Sequence, residues 1–190
     1  NRKIPLSCMA RYNIIAVLED ITGGNGAIEH QPAVLYNAMI APFVGYGIKG
    51  FLWYQGESNR HEPKVYARLF PAMVESWRKA WNQKDTLPFY YVQISPYSYG
   101  ENHFGGVEIR NAQRSVLNEI SKLGMVVTSD ISTTDDIHPK DKKSVGIRLA
   151  NLALVNHYKK YEAIVNGPLY KNYTIKMFIF IGMHGLQLSK

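Results

Sequence analysis

Apolar residues recur along the chain at two different periods, and the two alternate. From Pro32 to Val44, Val34, Leu35, Ala38, Met39, Ala41 and Pro42 fall three and four apart, which predicts a helix that Pro42 interrupts. A turn-rich link, Gly45–Lys49, leads to the run Gly50-Phe51-Leu52-Trp53-Tyr54, the text of a buried parallel strand. Tyr66 to Trp81 sets Leu69, Met73, Val74 and Trp77 on one helical face, and Pro88 to Ser95 reads as the next strand, with Phe89-Tyr90-Tyr91-Val92-Gln93-Ile94 at its centre. The series continues with a helix from about Val107 to Lys122, a strand Met125–Thr128, a polar loop through Pro139 and a helix from about Lys142 to Tyr161.

Strands alternating with helices predict an α/β fold, a parallel sheet covered by helices. After Gly167-Pro168 the text changes: Tyr173 to Ile181 is strand-like and no helix follows. The expected division is therefore an α/β unit over residues 1–165 and the start of a β-rich region over 166–190.

Composition narrows the function classes. The 190 residues are 46% hydrophobic and 19% charged, close to the globular average. The longest strongly apolar stretches, Met177–Gly182 and Gly124–Thr128, fall far short of the roughly 20 residues of a membrane span, so no membrane partner is expected. Asn1–Leu6 carries two basic residues without an apolar run or a small-residue cleavage site, and no signal peptide is read there. A single cysteine, Cys8, leaves no internal disulfide framework and no multi-cysteine zinc site. The net charge of +7 is dispersed, with nothing denser than Lys142-Lys143 or Lys159-Lys160, which argues against nucleic acid and leaves a mild preference for acidic ligands.

Two polar clusters carry the candidate chemistry. Gln55-Gly56-Glu57-Ser58-Asn59 follows the first strand, at the carboxyl end where open α/β sheets bind ligands. A Gln amide there can donate to a developing oxyanion, Gly56 lets the backbone come close, and Glu57 can orient its neighbours. The same residues also read as a polar turn, with Ser58 or Asn59 capping the next helix. Asp135-Asp136-Ile137-His138-Pro139 follows the strand at Met125–Thr128. A carboxylate two or three residues before His138 can hold its Nδ1–H and leave Nε2 to take a proton, or the aspartates can simply bond to backbone N–H groups of a turn. Both clusters end strands of one parallel sheet, so they are expected at one edge.

Longer stretches carry a resemblance. Leu35-Tyr36-Asn37-Ala38-Met39-Ile40-Ala41-Pro42 and Ile48-Lys49-Gly50-Phe51-Leu52-Trp53-Tyr54-Gln55-Gly56-Glu57-Ser58-Asn59 resemble the sialate O-acetylesterase family's LYNAMIxP and IKGxxWYQGESN. The likeness runs on through Leu69-Phe70-Pro71, Trp77-Arg78, Gln93, Arg110 with Ala112-Gln113, Thr128-Ser129-Asp130-Ile131, Asp136-Ile137-His138-Pro139-Lys140 and Gly146 with Arg148-Leu149-Ala150 to about Tyr170. It implies a three-layer α/β/α, flavodoxin-like SGNH hydrolase domain over residues 1–165. Such an enzyme removes acetyl groups from sugar hydroxyls through an acyl-serine, with an acetylated sugar or glycan as substrate and no cofactor or metal.

On this resemblance His138 is the general base, Gln55 an oxyanion donor, and Glu57, Asn59, Trp53 and Arg110 face the sugar. The SGNH pattern sets the acid three residues before the histidine, at Asp135, whereas the family's own text keeps it at Asp136. An extracytoplasmic place (secreted, periplasmic or lysosomal) is implied by the resemblance alone, and no oligomeric state follows from it. The family carries its nucleophile in a G-Q-S-N-like segment upstream of everything matched. This chain contains no such segment, and Ser7, Ser58, Ser95 and Ser129 lack the expected neighbours. Gly23-Gly24 is a remote counterpart of the family's glycine donor. The expectation is an esterase domain incomplete at its N-terminal side and feeble by itself.

A different class, a non-catalytic carbohydrate-binding protein, would use Trp53, Tyr54, Tyr97 and Tyr99 as sugar-lining aromatics, against core packing as the plainer account. Scattered histidines argue against a metal hydrolase, and Gly23-Gly24-Asn25-Gly26 departs from the dinucleotide-binding order.

Overall fold

The alternation is realised as a three-stranded parallel sheet in the order β1-β2-β3. Its elements are β1 (Phe51–Tyr54), α1 (Pro63–Ala80), β2 (Phe89–Val92), α2 (Gly105–Val116), β3 (Leu123–Val126) and α3 (Lys142–Asn156). The computed structural model describes residues 33–83, 87–101, 103–165, 167 and 174. The expected β-rich region over 166–190, Ser7 and Gly23-Gly24 lie outside the described residues, apart from Gly167 and Thr174.

Side-chain alternation divides the core in two. Phe51, Trp53, Phe89, Tyr91 and Met125 face α1 and α2, packing on Tyr66, Phe70, Met73, Val74, Ile109 and Val116. On the other face Tyr90, Val92 and Val126 meet Val145, Leu149 and Leu152 of α3. Helices on both faces make three layers. They explain why β2 is buried at all four residues and reads as an unbroken apolar run. Phe89 sits at the centre of an aromatic cluster, its ring centroid 5.5 Å from Phe51, 6.0 Å from Phe70 and 6.2 Å from Trp77.

Several expectations need correction. Strand β1 is not buried on both faces: α3 packs on β2 and β3, which leaves Leu52 65% exposed at the edge of the described sheet. Helix α2 ends at Val116 rather than Lys122, because Leu117, Asn118 and Glu119 donate to carbonyls three residues back and wind the chain into a tighter turn. Helix α3 ends at Asn156 rather than Tyr161, where His157 and Tyr158 both donate to the Ala153 carbonyl and Lys159 takes φ 51°. Ahead of the sheet, the helix interrupted at Pro42 is a π-helix, Tyr36–Ile40, running into a 3-10 turn, Ala41–Phe43.

At the amino edge Arg78 ties helix to loops. It is 1% exposed and donates to the carbonyls of Leu87 (2.8 Å), Ser121 (3.0 Å) and Lys122 (3.3 Å). The opposite, carboxyl edge carries the polar clusters.

Candidate active site

Three loops leave the carboxyl ends of the parallel strands side by side. The first begins at Gln55. Gly56 takes φ 149°, where side chains strain the backbone, and a Cβ there would lie 3.0 Å from Ile94 Cγ2 and 3.1 Å from Gln113 Nε2. Only glycine lets this loop press against α2. The chain then closes into a 3-10 turn, Glu57–His61. Neither Ser58 nor Asn59 caps α1, whose N-cap is Glu62 with no side-chain bond, so the capping account of this cluster is not realised.

Within the turn Gln55 Nε2 donates to Asn59 Oδ1. Asn59 is 1% exposed; its Nδ2 and the Oε1 of Gln55 are buried without hydrogen-bond partners. A buried amide costs about 1–3 kcal/mol unless water or a ligand completes it. Trp53 does not reach the loops: its ring packs edge-on against Trp77 at 5.6 Å, in the aromatic core.

Gln113 of α2, fully buried, fastens the first loop to the second. Its Nε2 donates to the Gln55 carbonyl (3.1 Å) and to the Tyr66 hydroxyl (3.2 Å), its Oε1 accepts from Ile94 N–H (3.0 Å), and its own carbonyl accepts from Tyr91 (2.5 Å). Burial pushes the Tyr66 and Tyr91 hydroxyls well above the ordinary phenol range, so both stay protonated donors. In the second loop Tyr97 and Tyr99 meet edge to face at 4.8 Å, the Arg60 guanidinium lies 4.7 Å over Tyr99, and the Tyr99 hydroxyl is buried without a partner.

Hydroxyls cross the sheet just beyond the strands. Ser95 Oγ shares hydrogen bonds with Thr128 Oγ1 (3.2 Å) and the Tyr54 hydroxyl (3.4 Å), and Thr128 donates to the Gln93 carbonyl (3.2 Å). Ser95 is 3% exposed, a tie between strand ends. Burial, more than the nearby Glu57 carboxylate, raises the Tyr54 hydroxyl. Ser129 accepts from Arg110 Nη2 at 2.6 Å, while Ser58 is exposed on its turn.

The third loop carries Asp135, Asp136 and His138. Asp136 Oδ1 accepts the His138 backbone N–H at 2.8 Å, the turn geometry that a short acid so near in sequence favours. Among the described residues no carboxylate is bonded to the His138 ring, and the side chain is exposed. The second and third loops are joined by Ser98 N–H donating to the Thr134 carbonyl at 2.8 Å. Arg148 of α3 holds the base of the third loop. It donates to the Val127 carbonyl and grips both Asp130 oxygens, and this pairing holds the Asp130 carboxyl at about 2, well below its ordinary range.

A parallel sheet with helices on both faces, and with amides, hydroxyls and a histidine loop gathered at its carboxyl edge, defines an α/β protein of the kind whose ligands bind at that edge. The family model for carbohydrate esterases described as sialic acid-specific acetylesterases matches residues 11–155, and the chain belongs to that family. It is 36% identical to sialate O-acetylesterase of Rattus norvegicus over 156 residues, covering 73% of this chain and 29% of the rat protein. With the Homo sapiens sialate O-acetylesterase it shares 32% identity over 154 residues, 72% of this chain and 29% of the human one. A solved carbohydrate acetylesterase from Xanthomonas citri superposes with a TM-score of 0.67 at 32% identity, over 78% of this chain and 35% of that one. The chain thus spans about three-tenths of the length of the curated relatives it matches.

Gln113 is the residue whose part at this site the motif reading leaves unassigned. The signal was present: Ile109, Ala112, Gln113 and Val116 form the buried stripe of α2, and a glutamine on an apolar stripe has to satisfy its amide inside.

Proposed function

We propose that this chain is part of a carbohydrate O-acetylesterase that cleaves acetyl esters on sugar hydroxyls through an acyl-serine. The observation that carries the reading is the placement of the Gln55–Asn59 amides and the His138 loop at one carboxyl edge, in a chain of this family. In the proposed reaction a serine oxygen from the family's upstream G-Q-S-N-like segment attacks the acetyl carbonyl. His138 Nε2 takes the serine proton and returns it to the departing sugar oxygen; water, deprotonated by the same nitrogen, then releases acetate. The Gln55 amide donates to the oxyanion, and the open Asn59 amide together with Glu57 and Arg110 meets the sugar. Asp136 is engaged by backbone, which favours Asp135 as the carboxylate that steadies the His138 ring. Trp53 supports the strand from the core side. An extracytoplasmic location belongs to the same proposal.

The test joins the upstream segment of the Xanthomonas citri relative to this chain and follows hydrolysis of p-nitrophenyl acetate and of acetylated sialic acid. Turnover lost in His138→Ala supports the reading; turnover indifferent to His138 defeats it.

A second reading, sugar binding without catalysis, draws on the Tyr97–Tyr99 pair, whose rings stand in the second loop with one hydroxyl open. Saturable sugar binding by a chimera that never hydrolyses an ester would favour it.

A further inference from the structure

The loop that carries His138 starts and ends on one face of α3. At its start Asp130 accepts from Arg148 at both carboxylate oxygens, Oδ1 from Nη1 at 2.7 Å and Oδ2 from Nη2 at 2.5 Å. The same Nη1 donates to the Val127 carbonyl at 2.6 Å, so one guanidinium holds the strand end and the loop together. At the far end Asp141 is the N-cap of α3, accepting from Ser144 N–H at 2.9 Å and from Ser144 Oγ at 2.6 Å. Asp141, Ser144 and Arg148 stand three and four residues apart, hence on one side of the helix. The charge of Arg148 is felt at both ends: the Asp141 carboxyl is held below its ordinary range by its Ser144 bonds first and by the Arg148 guanidinium to a lesser degree.

Between these anchors the chain is lightly held. Ile131 N–H donates to the Thr128 carbonyl at 3.1 Å and Ser132 Oγ to the same oxygen at 2.6 Å, which makes Asp130 a corner of a tight turn. Beyond it Thr133, Thr134, Asp135 and His138 are exposed, with the Thr134 carbonyl tied to Ser98 N–H and Pro139 buried next to the histidine. Because no carboxylate among the described residues is bonded to the His138 ring, the imidazole goes where the backbone beneath it goes.

The Asp130–Arg148 pair adds little to stability, since the Asp130 side chain is 64% exposed and that of Arg148 31%. Its contribution is geometric. A planar fork on two carboxylate oxygens fixes orientation as well as distance, which a single ammonium does not. Released from Arg148, the loop keeps only the turn at Thr128 on its first side and ranges over more conformations.

We infer that Arg148 is a positioning residue for the general base: by clamping Asp130 to the helix that Asp141 caps, it holds His138 where Nε2 meets the serine proton. It acts through the loop and not on the substrate. The inference rests on the esterase reading and adds to it a residue that sets the geometry of the reaction. Misplacing a catalytic group by about 1 Å costs about a hundredfold in rate, so a clamp of small worth to folding is of large worth to turnover.

The test has two arms. On the full chain, NMR follows the backbone amides of residues 133–138 and the His138 ring protons in Arg148→Gln and in Asp130→Asn, the second variant deciding the matter if the first melts too low to use. Both are expected to make residues 133–138 more mobile and to shift the His138 ring signals, with Tm within about 4 °C of the parent. In the fusion to the upstream segment of the Xanthomonas citri relative, kcat for p-nitrophenyl acetate should fall about tenfold to a hundredfold at a temperature where the variants stay folded, with KM within about twofold, and Arg148→Lys should recover part of the loss. Unchanged mobility and ring signals in both variants overturn the inference whatever the fusion does. A loss of kcat that only tracks the loss of folded protein, and that lysine does not relieve, is that of a structural tie and also overturns it. A fusion whose turnover needs His138 but keeps its kcat in both variants overturns it and leaves the esterase reading standing. Turnover that is absent, or indifferent to His138, removes both.

Discussion

Gln113 donates from Nε2 to the backbone carbonyl of Gln55 across 3.1 Å, joining a buried helix position to the first residue of the strand-end loop. The same side chain accepts the Ile94 N–H, so one amide sets the spacing of two neighbouring loops. Replacing it with leucine of similar bulk leaves that N–H and the Gln55 carbonyl without this partner inside the protein. Gln113→Leu is expected to lower stability by about 2–3 kcal/mol, read from urea unfolding, and Gln113→Glu, which keeps the acceptor for Ile94 but turns a buried carboxylate oxygen toward the Gln55 carbonyl, should lose at least as much. Equal stability of Gln113→Leu and the parent chain would contradict this role.

Gly56 makes a sharper steric prediction. A methyl group there meets Ile94 and Gln113 at about van der Waals limits or closer, on a backbone at φ 149°. Gly56→Ala should cost about 2–3 kcal/mol and shift the amide resonances of residues 55–59 in NMR spectra. Unchanged spectra with unchanged stability would show that the loop has room the geometry denies it.

At the other edge, Arg78 is buried among three carbonyls. Arg78→Met, matched in length and apolar, should destabilise the fold by about 3 kcal/mol because the Leu87 and Ser121 oxygens lose this donor, and the Lys122 oxygen keeps only Phe89 N–H, while the core stays filled. Its effect on sugar binding should be no more than its effect on folding, since the residue lies far along the strands from the candidate site.

The Asp130–Arg148 pair carries a pH signature. The two hydrogen bonds from Arg148 hold the Asp130 carboxyl at about 2, below its ordinary 3.8. A depressed folded-state pKa contributes stability that is complete above the unfolded value and is lost as pH falls through the folded one. The window is therefore from about pH 4 down to about pH 2. Both side chains are partly exposed, so the contribution is small. Asp130→Asn should melt slightly below the parent chain at pH 7, with the gap closing as pH falls across that window; a gap that widens on acidification would reverse the assignment.

Much of the architecture was legible in the chain because burial on two faces writes an unbroken apolar run, as in Phe89–Val92, and burial on one writes helical spacing, as at Leu69, Met73, Val74 and Trp77. Element ends were less so. Leu117 to Ile120 continues a helical pattern, yet the backbone tightens there before Leu123 enters the sheet. The candidate site was legible where its residues are consecutive: Gln55, Gly56 and Asn59 share one turn, and His138 follows its aspartates. Contacts between elements were not, because nothing in the spacing of residues 94, 110, 113 and 129 says that Ile94, Arg110, Gln113 and Ser129 meet. Trp53 shows the converse. Its neighbours Tyr54 and Gln55 draw attention to it as a sugar-facing aromatic, but alternation along the strand turns the indole into the core beside Trp77.

The most direct test of the esterase account is covalent labelling with a fluorophosphonate probe, located by mass spectrometry, on the 190-residue chain and on its fusion to the relative's upstream segment. The account predicts no labelled serine in the chain alone, and in the fusion a label on the upstream serine whose formation slows at least a hundredfold in His138→Ala, the scale of lost general-base assistance. A label on Ser58, Ser95 or Ser129, or labelling of the upstream serine that is indifferent to His138, would contradict it.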